Sequence, residues 1–265
     1  MKKTLASMVM LFVFLHIAVS GDVAAFYDMG FSTDSGTYVF GQYGRTDKDF
    51  HGYAEIYVVD VAKNDFVADG VFCSTDKTGK SGIEVFKQLK DNKKNFLSKY
   101  GVKPVPPENV LYVRGGTDVD AAKKIVFKDF ENSTEQEQVY YNIQLVPMYE
   151  GKGSNTKSSF YIIMERKDAN GKMLSRQVVG NPDIKRKGVT GYTIDKIFTN
   201  QEGTGIVFLV EKTIADKTGV SIRYMVETAN LLEIEKNESP KENGSIIKSV
   251  KKVQKGGEPS VLVEK

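Results

Sequence analysis

The chain has 265 residues, 37 basic against 34 acidic, with two His, one Cys and no Trp. A composition that is 40% hydrophobic and 27% charged excludes wholesale disorder and a polytopic membrane protein. One Cys forms no internal disulfide, and two His with one Cys leave little for a zinc site.

Residues 1–20 read as a secretory signal. Lys2 and Lys3 form a positive start, Leu5 to Val19 is apolar but for Ser7 and His16, and Ala18 and Ser20 are small residues before a cut. Cleavage is expected after Ser20, with a second option after Ala25. The apolar run, about 15 residues, falls short of the roughly 20 that span a bilayer, so no stable membrane span is expected after cleavage. The address implied is periplasmic or secreted. Lys2 and Lys3 leave with the signal, so 35 basic and 34 acidic residues remain and the apparent basicity of +3 falls to +1. An exported body without a disulfide must be held by packing, which its length permits.

The expected fold is mainly β, of α+β class, with antiparallel meanders and one prominent amphipathic helix near 82–100. Phe31 to Gly36 closes an apolar stretch with a polar turn, and Thr37 to Tyr43 reads as a strand. Ala54 to Asp60 is the strongest strand signal. The consecutive Ile56, Tyr57, Val58 and Val59 predict burial on both faces. Lys63-Asn64-Asp65 is a turn, and Phe66 to Cys73 the next strand. Ser81 and Glu84 fit a capping box. Phe86, Leu89, Phe96, Leu97 and Tyr100 follow at helical spacing, with Gly101 placed as the stop and Pro104 forbidding continuation; one helix of about 18 residues is predicted.

Beyond Pro104, alternation at Val139, Tyr141, Ile143 and Leu145 marks a half-buried strand. Asn170-Gly171 between Ser159–Arg166 and Lys172–Val179 predicts a hairpin with both turn residues at positive φ. Val220, Ile222, Tyr224 and Val226 alternate again. The expected organisation is a signal at 1–20, a β-rich body at 21–235 (with halves 21–103 and 104–235) and a Lys-rich mobile tail at 236–265. Ile246, Ile247, Val250 and Val253 in that tail fit a short amphipathic helix.

Two stretches resemble each other. Phe31 to Phe40 parallels Phe198 to Phe208, aligning Gly36 with Gly203, and each continues through a loop into a strand (55–59 and 221–226). The separation is 167 residues, so these are not adjacent repeats.

The first copy, with Phe31-Ser32, Asp34, Gly36, Tyr38-Val39-Phe40 and Ala54 to Asp60, resembles a blade of TolB-like β-propellers over residues 26–60, with Thr33 where such blades often carry Pro. The helix after Ser81 interrupts any blade series, so a complete propeller is not expected. The closer match is to a family of bacterial predicted secreted proteins of unknown function. It rests on Gly21 to Ala24, Gly30-Phe31-Ser32, Phe40 to Gly44, Ala54 to Asp60 and Phe66-Val67. That resemblance implies export and a shared fold, and brings no catalytic residues.

Residue chemistry assigns no catalytic, cofactor-binding or metal residue. Thr75 to Ser81 contains Gly79-Lys80-Ser81 of a phosphate loop, but Ser74 stands where the first Gly is needed, and a helix-capping turn explains the same residues. His51 and Cys73 form a nominal base and nucleophile, but Cys73 sits in an apolar strand. Asp47, Asp49, His51 and Glu55 cluster without the spacing of a calcium loop, alongside Arg45 and Lys48. Lys90, Lys93, Lys94 and Lys99 give a basic helix face, read as solvated, with an anionic-surface contact as the minority reading. Near-neutral charge and export disfavour nucleic acid. The function expected is a non-enzymatic envelope binding protein with an envelope protein partner. The alternatives are an exported carboxylate-dependent hydrolase and a small-ligand carrier.

Overall fold

The computed structural model describes residues 21–46, 49–115, 124–215 and 219–231. The expected signal at 1–20, the expected tail at 236–265, and Asp47 and Lys48 lie outside the described residues. The described chain is mostly strand, in three antiparallel sheets.

The first sheet is a meander in chain order: β1 (Ala25–Phe31), β2 (Thr37–Arg45), β3 (Gly52–Asp60) and β4 (Asp65–Asp76). Helix α1 (Gly82–Asn92) and the short α2 (Lys94–Leu97) follow. Strand β5 (Val110–Val113) pairs with the much later β11 (Val189–Thr199), which continues through β12 (Gly205–Ala215) to β13 (Val220–Asn230). The remaining sheet holds β6 (Lys124–Lys128), β7 (Val139–Glu150), β8 (Lys157–Asp168), β9 (Met173–Val179) and the two-residue β10 (Arg186–Lys187).

The sheets stack by their faces, and β12 shows why. Ile206, Val207, Phe208, Leu209 and Val210 are all 0% exposed. Such an unbroken apolar run has no face left for water. Ile206, Phe208 and Val210 point to one side, into a core with Ile143, Phe160 and Ile162 of β7 and β8. Val207 and Leu209 point to the other, against Phe31, Tyr38, Phe40 and Val59 of the first sheet. The β5–β11–β12–β13 sheet is therefore central. Strand β3 repeats the logic as predicted: Val59 faces the central sheet, while Ile56 and Val58 face α1 through Val85, Phe86 and Leu89. The layers run helix, first sheet, central sheet, open sheet. β1–β4 is a four-stranded antiparallel meander, and among the described residues three sheets stack.

The helix departs from its expected length. Glu84 reaches back as expected, accepting from the Ser81 N–H at 2.8 Å, and also accepts from the Ser81 hydroxyl at 2.6 Å. Lys93, at φ −103° and ψ 8°, then breaks the helix. The break sets Lys93 Nζ 4.8 Å over the Phe72 ring and stands Phe96 edge-on to Phe72 at 5.1 Å. Leu97 returns to the core at 5% exposure, and Gly101 ends the segment at φ +56°. Packing onto β4 thus outweighs straight propagation.

The hairpin between β8 and β9 is also different in detail. Only Gly171 has positive φ, at +82°. Asp168 Oδ1 instead accepts from the N–H groups of Asn170 (2.9 Å) and Lys172 (2.8 Å), so the aspartate organises the turn.

The two similar stretches share one turn. Ser32 N–H donates to the Thr37 carbonyl and Asn200 N–H to the Gly205 carbonyl, at 2.8 and 3.0 Å. The side-chain oxygens of Ser32 and Asn200 accept from the N–H of Thr37 and of Gly205, at 2.9 and 3.1 Å. The left-handed residue is Ser35 (φ +58°) in one and Gly203 (φ +66°) in the other. Gly203 therefore matches Ser35 rather than Gly36, and aligning the glycines misplaces the register by one residue. The turns touch through Asn200 Nδ2, which donates to the Ser35 carbonyl at 3.3 Å.

The edge of β13 is closed by side chains and by the backbone of residues 22–24. Buried Gln42 accepts from Tyr224 N–H at 2.8 Å and donates to its carbonyl at 3.3 Å, as a neighbouring strand would. Asn64 Oδ1 accepts from Thr228 N–H at 2.6 Å, and Asp22 and Ala24 bond Ile222. An edge so occupied is protected from pairing with another chain.

Candidate functional site

Alternation turns Ile125, Tyr141, Ile143, Phe160, Ile162, Met164 and Val179 of the open sheet inward. The intervening residues form an outward face on which, among the described residues, no helix packs. Strand register orders that face in rows. Lys128, Tyr140, Lys167 and Met173 make the first, and Val126, Asn142, Glu165 and Arg176 the second. Lys124, Gln144, Ile163 and Val178 make the third, and Val146 with Tyr161 the fourth. Val126 is 55% exposed and Val178 42%. Glu165, the carboxylate in these rows, lies between Lys167 Nζ at 2.8 Å and Arg176 Nε at 3.5 Å. Lys128 Nζ sits 5.3 Å over the exposed ring of Phe130. Three of the cations, Lys128, Lys167 and Arg176, thus lie in the first two rows, and Lys124 stands in the third beside the apolar Ile163 and Val178.

Two titratable clusters lie elsewhere. At the first, Glu55 Oε2 accepts from Gln42 (2.6 Å) and the Tyr57 hydroxyl (2.7 Å). Cys73 is an exposed residue of β4, and partial desolvation of its thiol with the nearby Glu55 pushes it up to about 11, so the thiolate needed for attack is suppressed. Burial first, then Glu55, also raises Tyr57. Beside them, Arg223 pairs with Asp22 and stacks over Tyr53 at 4.4 Å. At the second, Glu227 (6% exposed) accepts from Asn64 at 2.5 Å and lies 3.8 Å from Arg186. Burial raises the Glu227 carboxyl; the Asn64 bond and Arg186 oppose this. Asn64 belongs to the first sheet's β3–β4 turn, Glu227 to the central sheet and Arg186 to the open sheet, so this cluster pins the three layers together.

The sequence candidates take other places. In Thr75 to Ser81, the Asp76 carboxylate accepts from the N–H of Thr78 (2.8 Å) and Lys80 (2.9 Å), filling the position a phosphate needs. Cys73 pairs across the ladder with Glu55, not His51. Glu55 is bonded within its Gln42 cluster, and Asp47 lies outside the described residues. Among the described residues no three His, Cys, Asp or Glu side chains converge as a metal site. Lys90, Lys93 and Lys99 lie over the rings of Tyr27, Phe72 and Phe96 at 5.6, 4.8 and 5.4 Å, so the basic helix face covers aromatic edges. Concavities include a depression of about 250 Å³ between the Ser32–Asp34 turn and Ser98–Gly101, and one of about 110 Å³ where the twin turns meet. The open face has no local signature in the sequence, because its residues are dispersed over four strands and only register gathers them.

The model of the family described as Predicted secreted protein (DUF2259) matches residues 39–230, more than half of the chain. The chain belongs to this family. The match runs from β2 to the end of β13 and so covers most of the three-sheet stack. It agrees with the resemblance to predicted secreted proteins of unknown function, while the TolB-like likeness gains no support. No curated protein and no solved structure matches. No described helix is long and apolar enough to cross a membrane.

Proposed function

We propose that the chain is exported, with its signal cleaved after Ser20, and acts as a non-enzymatic binding protein of the cell envelope whose recognition surface is the outward face of the open sheet. One observation supports this reading: the equivalent face of the first sheet is sealed by α1, whereas among the described residues no helix covers the open-sheet face that carries Val126, Ile163 and Val178 among cations. Partly apolar faces beyond what solvation requires mark interaction sites. The titratable clusters add support, because Glu55 and Asp22 are already bonded internally and Glu227 is enclosed.

A photo-reactive residue in place of Ile163 tests the reading in living cells. Cross-links to envelope components are expected there, and none from the same residue in place of Lys87 on the outer side of α1. Equal cross-linking at both positions, or none at Ile163, overturns it.

A further inference from the structure

Building on the proposed recognition face, we infer that its occupant is an anionic lipid surface. Four cations, Lys124, Lys128, Lys167 and Arg176, stand in its rows against the one carboxylate, Glu165, which is itself bridged to two of them. The exported chain is nearly neutral, so this excess is a local feature rather than general basicity. Basic side chains near an anionic leaflet each contribute attraction that fades within a Debye length.

The rest of the face suits the same partner. Ile163 and Val178 share a row with Lys124, and Tyr161 follows in the next, so headgroup-seeking charge adjoins apolar and aromatic groups that settle at the polar–apolar boundary. The exposed Phe130 lies under Lys128 of the first row. An acidic protein would satisfy the lysines but has less use for apolar side chains spread across a broad sheet. The helix lysines, by contrast, are engaged with rings and offer no comparable surface.

The test is sedimentation of the exported chain with vesicles. It should bind mixed phosphatidylglycerol–phosphatidylcholine vesicles, release at high salt, and ignore pure phosphatidylcholine. Neutralising two lysines in Lys124→Gln/Lys128→Gln should weaken binding by about 30-fold, roughly fivefold for each charge. The control Lys87→Gln/Lys94→Gln should bind as the parent does. All these positions are at the surface, so thermal unfolding should be unchanged in both variants. The inference is overturned by absence of binding to the anionic vesicles, by equal binding to both kinds, by an unaffected Lys124/Lys128 variant, or by polyglutamate competing as effectively as the lipid. If vesicles fail while Ile163 still cross-links in the envelope, the lipid assignment falls and the binding face stands.

Discussion

The two outer sheets treat their outward faces differently. On the first sheet, Val39, Ala54, Ile56 and Val58 make that face aliphatic, and α1 lays Val85, Phe86 and Leu89 across it. On the open sheet, Lys124, Asn142, Gln144, Glu165 and Arg176 interrupt the apolar positions, so water is tolerated. An all-aliphatic face must be buried for the chain to fold, whereas a mixed face is free to be buried later, by something else. Stability should therefore concentrate on the helix side, and recognition on the other.

The largest expected contrast is between truncations on the two faces. Phe86→Ala removes a side chain 1% exposed and should cost about 3–5 kcal/mol in urea unfolding. Val178→Ala, at a position 42% exposed, should change stability by no more than about 0.5 kcal/mol. Comparable losses would show that the open face is already covered. Next in size is Gln42→Ala, which strips the strand-like cap from Tyr224 and one donor from Glu55. A loss of about 1–3 kcal/mol is expected, with faster amide exchange at Tyr224.

The smallest effect concerns Glu227. Burial raises its folded-state pKa above the ordinary glutamate value, so the protonated form fits the folded protein better. Its contribution to stability is full below the unfolded value and is lost as pH rises through the folded one. Glu227→Gln keeps an acceptor for Asn64 but cannot titrate. The parent's melting temperature, relative to that variant, should rise as pH falls from about 7 toward 5. A difference independent of pH would contradict the assigned role.

Local chemistry made much of the fold legible. The Ser81–Glu84 cap, the Gly101 stop, the Ile56–Val59 run and the alternating strands all lie in short windows. What escaped depends on distant residues. Lys93 breaks the helix because Phe72, on another element, attracts Phe96. Glycine alignment puts the twin turns one residue out of register, because Ser35, not Gly36, adopts the left-handed conformation. Gln42 gave no signal in its strand, since its partner Tyr224 is 182 positions away. The recognition face was hidden for the same reason: Lys124, Gln144, Ile163 and Val178 become neighbours only through register.

The most direct test of the account is lysine-selective labelling of the chain in isolated envelope fractions and as purified protein. Lys124 and Lys128 should be protected in the envelope while Lys87 and Lys94 label equally in both. Equal labelling of all four in both preparations would contradict the claim that the open face is where this protein meets its surroundings.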